Sequence, residues 1–301
     1  MALLQPVASP RPAVFLVHNL AMTDLATLFA CPRCDHTPFE RRDTDLHCKA
    51  CDVDFPSING IPWLFAEPQA ALGEWRGRLQ FALQQLSHEV AGLENELKKD
   101  DLHSLSRRRV ERYKKAVEYH RRELAKLLRP VDMQAAHGNY ETYLALRTRL
   151  PADQGLNTYY ANIHRDWAWG DEENVASLKQ VQSVLHDHAE LGNVLVLGAG
   201  AARLAYDIHR NLDCDLTVAM DFNPLLMLVA QTVTRGEKLK LYEFPLAPLS
   251  LEDDAVLRSL TAPEVVDDRF HLVLGDALRA PFSDQSFDTI VTPWLIDIIS
   301  E

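Results

Sequence analysis

Two C-x-x-C pairs constrain the fold of this chain more than any other feature of its sequence. Cys31 and Cys34 form the first pair, Cys48 and Cys51 form the second, and 13 residues separate the pairs. Each C-x-x-C turn can direct both sulfur atoms toward one ion, so two turns supply the tetrahedral set of thiolates that zinc prefers. We predict a structural zinc site, because four thiolates leave no position open for a reacting water. Iron in the same ligand set and a redox role for one pair are the alternatives.

The amino-acid composition is typical of a folded globular protein. Of the 301 residues, 47% are apolar and 25% are charged, which excludes a largely disordered chain. No apolar run approaches the ~20 residues of a membrane span, and the opening MALLQPVASPRP lacks the basic start of a signal peptide. Because the paired cysteines indicate metal in a reducing compartment, we expect a cytoplasmic protein with no membrane contact.

The net charge of −12 is distributed unevenly along the chain. Residues 1–150 carry 21 basic and 19 acidic side chains, whereas residues 151–301 carry 10 and 24. An acidic surface repels nucleic acid, so any contact with RNA would have to use the first half. Residues 101–129 hold ten basic side chains against four acids. Such a run is more often a solvated helix face, but it leaves RNA binding open.

Residue periodicity divides the chain into five segments. Two apolar series at spacings of three and four predict an antiparallel helical hairpin in the third segment, closed by Pro130. The fourth segment is expected to be a helical cap over a cofactor site. In order, the segments are a lead-in (1–22), the cysteine ribbon (23–66), the hairpin (67–130), the cap (131–190) and a domain of alternating strands and helices (191–301).

The last segment has the pattern of an α/β fold. Short apolar runs alternate with predicted helices, which indicates a doubly wound parallel sheet. The predicted strands are 193–197, 216–220, 270–274 and 287–291.

A glycine-containing turn follows the first of these strands. Gly198 and Gly200 let the backbone turn sharply and approach a ligand, and the following helix, which opens at Arg203, offers free N–H donors. The next strand ends at Asp221, whose carboxylate can accept both hydrogen bonds of a ribose diol. We take Gly198, Gly200, Arg203 and Asp221 as candidate cofactor residues, although a dinucleotide enzyme would have a similar arrangement.

The region after the third strand resembles the class I S-adenosylmethionine-dependent methyltransferases. It reads Gly275-Asp276-Ala277, followed shortly by PFSDQSFDTIV (281–291). The resemblance implies S-adenosylmethionine as cofactor, an incomplete Rossmann-like sheet, Asp276 on the adenine amino group, and further cofactor contacts from Ala277 and Pro293. Such sheets usually have seven strands, whereas the sequence reaches Glu301 just beyond the fourth predicted strand. We therefore expect a sheet that lacks its last three strands. The chain alone would then be inactive, or a partner protein would complete the sheet.

A narrower resemblance is to the carnosine N-methyltransferases. It implies that Asn162 and Arg165 contact the cofactor and that Asp297, taken as the catalytic residue, holds an imidazole-bearing substrate and accepts its proton. Asn162 stands where that family has Gln, and Asp221 where it usually has Glu. The matching stretches, in the family's order, are IHRDW (163–167), VLVLGAGAARLA (194–205), KLYEFP (240–245), GD (275–276) and WLID (294–297).

The cysteine segment resembles a small zinc-ribbon protein that activates several RNA and protein methyltransferases. The match comprises LATLFACPRC and LHCKACDVDFPSINGIPWLF. It implies a supporting module that performs no chemistry itself.

The leading hypothesis is an S-adenosylmethionine-dependent N-methyltransferase acting on a small imidazole-containing or peptide-like acceptor. The first alternative is an RNA methyltransferase that uses the basic helix at 101–129. The second is a non-catalytic interaction scaffold.

Overall fold

The computed structural model describes residues 25–133, 160–185, 190–293 and 295. The lead-in predicted for 1–22, part of the predicted cap, and Asp297 lie outside these ranges. Within them the chain is an α/β protein with a mostly parallel central sheet and a cysteine cluster near its amino-terminal end. Among the described helices, none combines the length and the apolar character that crossing a bilayer requires.

The amino-terminal part is a small ribbon. Its antiparallel sheet has the order β1-β2-β3, and β4 and β5 form a second antiparallel pair. The elements are α1 (Leu25–Leu28), β1 (Glu40–Arg42), β2 (Asp45–Cys48), β3 (Val53–Phe55), β4 (Ser57–Ile58) and β5 (Ile61–Leu64).

Two long helices follow where the apolar spacing predicts them, α2 (Pro68–Leu97) and α3 (Ser104–Leu127). The proline lies in the first turn of α2, where the missing N–H is no loss. His103 caps α3 by accepting a hydrogen bond from the Leu105 amide at 3.3 Å. The helices pack antiparallel, and each buries one apolar stripe against the rest of the molecule.

The remaining elements form the cap and the central sheet. A single π-helical turn (Arg165–Trp169) separates α4 from α5, and the whole of β7 is buried because it lies inside the sheet. In chain order the elements are α4 (Asn162–His164), α5 (Asp171–Leu185), β6 (Asn193–Leu197), α6 (Arg203–Asn211), β7 (Leu216–Asp221), α7 (Pro224–Thr234), β8 (Leu239–Glu243), β9 (Val256–Leu260), β10 (Phe270–Gly275) and β11 (Thr289–Val291).

The central sheet has the order β11-β6-β7-β10-β5-β4. Its β6, β7, β10 and β11 strands pair in parallel and coincide with the four predicted strands to within two residues at either end. Among the described strands, β11 pairs only with β6.

The ribbon contributes its last strand to this sheet. Trp63 and Leu64 of β5 pair in parallel with Leu274 and Gly275 of β10. A second link joins the residues before the first cysteine to the loop after β10, where the Ala30 amide donates to the Pro281 carbonyl and the Ser283 amide to the Leu28 carbonyl. The predicted boundary at residue 66 therefore falls within a continuous core.

The antiparallel hairpin of β8 and β9 was not expected from the sequence. Leu241 and Leu260 bury their side chains in the main core, whereas Lys240, Leu257 and Ser259 on the same two strands are exposed. An antiparallel strand with one solvent-exposed face has no continuous apolar run, so the apolar runs of the sequence do not reveal this hairpin.

Candidate ligand cavity and cysteine cluster

A cavity of about 240 Å³ lies at the carboxyl ends of β6 and β7. Its walls come from the turn after β6, the end of β7 with the start of α7, and the cap from α4 to α5. Residues from distant parts of the chain therefore converge on one space. Seven of the predicted cofactor residues line it: Asn162, Arg165, Gly198, Gly200, Arg203, Asp221 and Pro293.

The glycine turn, residues 198–202, folds the chain sharply behind the cavity. Gly198 (φ +63°) and Gly200 (φ +59°) adopt the left-handed conformation that side chains disfavour. A Cβ on Gly198 would also lie 3.1 Å from the Leu295 side chain. Ala202 adopts the same conformation (φ +61°) at a cost of about 1 kcal/mol, and its amide donates to the Ala199 carbonyl to close the turn.

Asp221 lies beside this turn with 6% of its surface exposed. Its Oδ2 accepts a hydrogen bond from the Gly200 amide and its Oδ1 one from the Asn223 amide, both at 2.8 Å. Burial raises the pKa of Asp221 to about 6, although these amides favour the ionised form. Each carboxylate oxygen has a second acceptor position, so Asp221 can still receive two hydroxyl donors from a ligand.

The cap places Asn162 and Arg165 on the opposite wall. The Arg165 guanidinium donates to Oδ1 of Asp166 through Nε (3.0 Å) and Nη2 (2.8 Å). Asp166 is buried, which raises the pKa of its carboxyl despite the neighbouring arginine. Gly170 ends the π-helical turn, and a Cβ there would lie 2.5 Å from the Arg165 carbonyl oxygen.

Arg203 also lines the cavity, but its guanidinium is bound to protein groups. Nε donates to both carboxylate oxygens of Asp207 at 3.0 and 3.1 Å, and Nη1 donates to the Asp166 carbonyl at 2.6 Å. Nη2 lies 3.5 Å from Oδ1 of Asp171. These bonds orient the guanidinium toward the cap.

Asp276 and Ala277, two other predicted cofactor residues, are not part of the cavity wall. The Asp276 carboxylate accepts the Leu278 amide at 2.9 Å and so caps the 3₁₀ turn Ala277–Arg279. This is the capping role that an acid in this position commonly has. Asp297, the predicted catalytic residue, lies outside the described residues.

Several side chains that line the cavity were not expected from the sequence. Glu173 and Ser177 lie four residues apart on α5, so they share one helix face, and helical spacing could have indicated both. Asp166 belongs to the RDW stretch, but no sequence signal showed that it faces a cavity. The missed wall residues with polar side chains are Asp166, Glu173, Asn174, Ser177, Asp207 and Asn223.

The four paired cysteines form one cluster. All four Sγ atoms lie within 4.8 Å of one another, and the Cys31–Cys51 and Cys34–Cys48 Sγ distances are both 3.6 Å. A disulfide would need about 2.05 Å, whereas Zn–S bonds of about 2.3 Å place tetrahedral sulfurs ~3.8 Å apart. The cluster could therefore hold a metal ion such as zinc. Burial raises the pKa of the Cys31 thiol, which a bound cation would offset by favouring the thiolate.

The turns around the cluster explain why these positions converge. Each C-x-x-C is followed by an aspartate with positive φ, Asp35 at +57° and Asp52 at +52°, and this conformation reverses the chain. His47 is not part of the cluster, and its Nδ1 lies 2.7 Å from Oδ1 of Asp54. Cys214, the fifth cysteine, is buried elsewhere.

Comparison with known proteins assigns no family to this arrangement. The interpretation of the cavity therefore depends on the residues that line it. A scan of protein-family models finds no match to the chain, and a search of curated proteins also finds none.

Proposed function

We propose that the cavity binds S-adenosylmethionine and that the chain is an N-methyltransferase with a Rossmann-like sheet. The observation that carries the proposal is that the glycine turn and Asp221, joined by a hydrogen bond, line the same cavity. A turn of this kind after one parallel strand, with an acid at the end of the adjacent strand, suits a nucleoside whose ribose diol the acid accepts. Asn162 and Arg165 would hold the ligand from the cap side.

The charges of the wall favour S-adenosylmethionine over a dinucleotide. Among the described residues, four carboxylates line the cavity together with two arginines, Arg165 and Arg203, and both guanidiniums contact carboxylates. A pyrophosphate would be repelled by such a wall, whereas a sulfonium and an ammonium would be attracted. The four acids are Asp166, Glu173, Asp207 and Asp221.

S-adenosylmethionine, when bound, supplies a methyl group activated by its positively charged sulfur. The chain has to bind and orient the ligand and place an acceptor nitrogen in line with that methyl group. Asp297 stays the predicted group that orients the acceptor and takes its proton. The expected acceptor, a small imidazole-containing or peptide-like molecule, depends on the sequence resemblance.

The proposed role of zinc is structural. The four thiolates would close its coordination shell, and zinc binding would stabilise a ribbon whose buried apolar side chains share a cluster with the central sheet and form no separate core. The cysteines would then act on the cavity only through the fold.

Arg107 and Arg109 of α3 contact their own chain, which does not favour the RNA alternative. Arg107 donates to the Leu97 carbonyl at 2.6 Å and to the Lys99 carbonyl at 2.9 Å. Arg109 donates to the buried carboxylate of Asp254 at 2.7 Å. These contacts stabilise the turn between α2 and α3 and the loop before β9.

Calorimetric titration of the zinc-loaded protein with S-adenosylmethionine and, separately, with NAD⁺ tests the proposal. We expect S-adenosylmethionine to bind and Asp221→Ala to weaken it about 100-fold, because two hydrogen bonds to a charged group are lost. Asp215→Ala, which removes an exposed acid just before the same strand, is the matched control. Binding of NAD⁺ alone would overturn the proposal, and binding of neither ligand would favour the scaffold.

A further inference from the structure

We propose that Trp167 and Arg203 are positioning residues that hold the wall segment, residues 162–169, against the glycine turn. This inference rests on the proposed function, since Asn162 and Arg165 of the wall segment would contact the ligand. It also gives Arg203 a different role from the direct cofactor contact that the sequence suggests.

Trp167 joins the wall segment to two other parts of the molecule. Only 3% of its surface is exposed, and its indole Nε1 donates to the Ala201 carbonyl of the glycine turn at 2.9 Å. Its own carbonyl accepts the Thr261 amide at 3.2 Å, just after β9. The ring meets Tyr206 of α6 edge-on, at 5.4 Å between ring centroids.

Arg203 approaches the same segment from the glycine turn. Its guanidinium carbon lies 5.3 Å from the centre of the Trp167 ring, within the range of a cation–π contact. Nη1 donates to the Asp166 carbonyl at 2.6 Å, while Nε is bound by Asp207. The guanidinium therefore links α6 to the backbone of the wall segment in a buried site, where hydrogen bonds to a charged group are strong.

These contacts determine where the ligand-lining side chains stand. Asn162 and Arg165 are within five residues of Trp167, on one short helix and the π-helical turn after it. If the indole or guanidinium bond is lost, the segment can move away from the glycine turn and carry both side chains with it. A displacement of about 1 Å at a binding wall can cost up to 100-fold in function.

Two conservative substitutions separate this role from direct ligand contact. Trp167→Phe removes the Nε1 donor but keeps an aromatic ring below the guanidinium. Arg203→Lys keeps a cation beside Asp207 but loses the bond to the Asp166 carbonyl. The matched controls are Thr232→Val, which removes a side-chain donor to the Leu228 carbonyl within α7, and Arg210→Lys on the same helix as Arg203, whose partner is Glu264.

The readouts are calorimetric affinity for S-adenosylmethionine and hydrogen exchange of the Gly170 and Thr261 amides. These amides donate to the carbonyls of Arg165 and Trp167, so their exchange reports the wall segment without any ligand. We expect both test variants to exchange faster at these amides and to bind about tenfold more weakly, the effect of losing one hydrogen bond. The controls should behave like the unaltered protein.

Three results would overturn the proposal. The first is local exchange equal to that of the controls. The second is a lower unfolding temperature with unchanged affinity, which indicates a purely structural role. The third is weaker binding by Arg203→Lys with unchanged exchange, which indicates direct ligand contact. If the unaltered protein does not bind S-adenosylmethionine, the proposed function fails, and the exchange data alone decide whether Trp167 and Arg203 hold the segment.

Discussion

At the scale of single residues, Asp221 shows how burial and backbone donors compete. Burial raises its pKa to about 6, while the amides of Gly200 and Asn223 favour the carboxylate. A carboxylate accepts two hydroxyl donors, whereas a carboxylic acid has to donate one proton of its own. The proposed ligand contact therefore requires the ionised form.

We predict that affinity for S-adenosylmethionine falls as the pH drops through about 6, by about tenfold per pH unit below that value. Because the pKa of Asp221 is higher in the folded protein than its ordinary value of 3.8, the folded state binds more protons between about pH 4 and 6. The contribution of this carboxyl to stability is therefore present below about pH 4 and is lost as the pH rises through 6. Calorimetric titrations from pH 5 to 8 measure the affinity, and an affinity independent of pH would contradict the assignment.

Asp276 provides a second prediction at this scale. Its carboxylate caps the turn after β10, so Asp276→Ala should lower the free energy of unfolding by about 1 kcal/mol. Asp276→Ser keeps a capping oxygen and should restore most of this loss. If serine restores stability but not affinity for S-adenosylmethionine, Asp276 contacts the ligand, as the sequence resemblance implies. Denaturant unfolding and calorimetry of both variants separate these cases.

At the scale of elements, the β8–β9 hairpin is attached to the helices around two buried histidines. His120 of α3 accepts the Tyr242 amide of β8 on Nδ1 at 3.2 Å. His164 of α4 is 1% exposed, and neither ring nitrogen has a hydrogen-bond partner within the described part of the chain. Burial lowers the pKa of each histidine to about 4, although the Glu243 carboxylate partly opposes the shift at His164. Both rings are therefore neutral at pH 7.

Acidic pH should weaken the attachment of the β8–β9 hairpin to the helices at His120 and His164. The ordinary histidine pKa is 6.5 and the folded value is about 4, so the unfolded chain binds more protons between these limits. The stability contributed by the neutral rings is present above pH 6.5 and is lost as the pH falls through 4. We expect each ring to account for a loss of about 2 kcal/mol between pH 7 and 5.

Urea unfolding at pH 7 and pH 5 measures this loss. The His120→Asn variant keeps a hydrogen-bond acceptor but has no titrating ring, so it should lose less stability on acidification. His88, which is exposed on α2, is the position for a control substitution. An equal loss in the His120→Asn and control variants would rule out His120 as the cause.

At the scale of the whole molecule, the ribbon and the central sheet form one structure. One hydrophobic cluster includes Cys31, Cys48 and Phe55 of the ribbon together with Met220 and Val273 of the sheet. Two separate modules with their own cores would not share such a cluster. Because β5 also pairs with β10, we expect metal binding at the cysteine cluster to affect the stability of this side of the central sheet.

Removal of a bound metal should therefore lower the unfolding temperature of the sheet as well as that of the ribbon. We expect a chelator to shift the main thermal transition downward by several degrees, because metal-binding free energy is also folding free energy. Circular dichroism follows the transition, and metal analysis gives the stoichiometry. Cys214→Ala, which alters a buried thiol outside the cluster, should keep the metal. An unchanged sheet transition after complete metal removal would show that the two parts fold independently.

Three residues of the cavity wall, Asn162, Arg165 and Pro293, were expected only from the family resemblances. Residue spacing alone predicted the cysteine cluster, the two long helices, the four parallel strands and four further wall residues, Gly198, Gly200, Arg203 and Asp221. These features depend on local periodicity and on short turns, which the order of residue types determines directly. Only the tertiary structure decided that β5 belongs to the central sheet, that Arg203 binds Asp207 and the Asp166 carbonyl, and that Asp276 caps a turn outside the cavity wall. Each of these three contacts depends on which of several possible hydrogen-bond or strand partners is nearest once the chain has packed. Local sequence patterns do not encode contacts between residues that are distant along the chain.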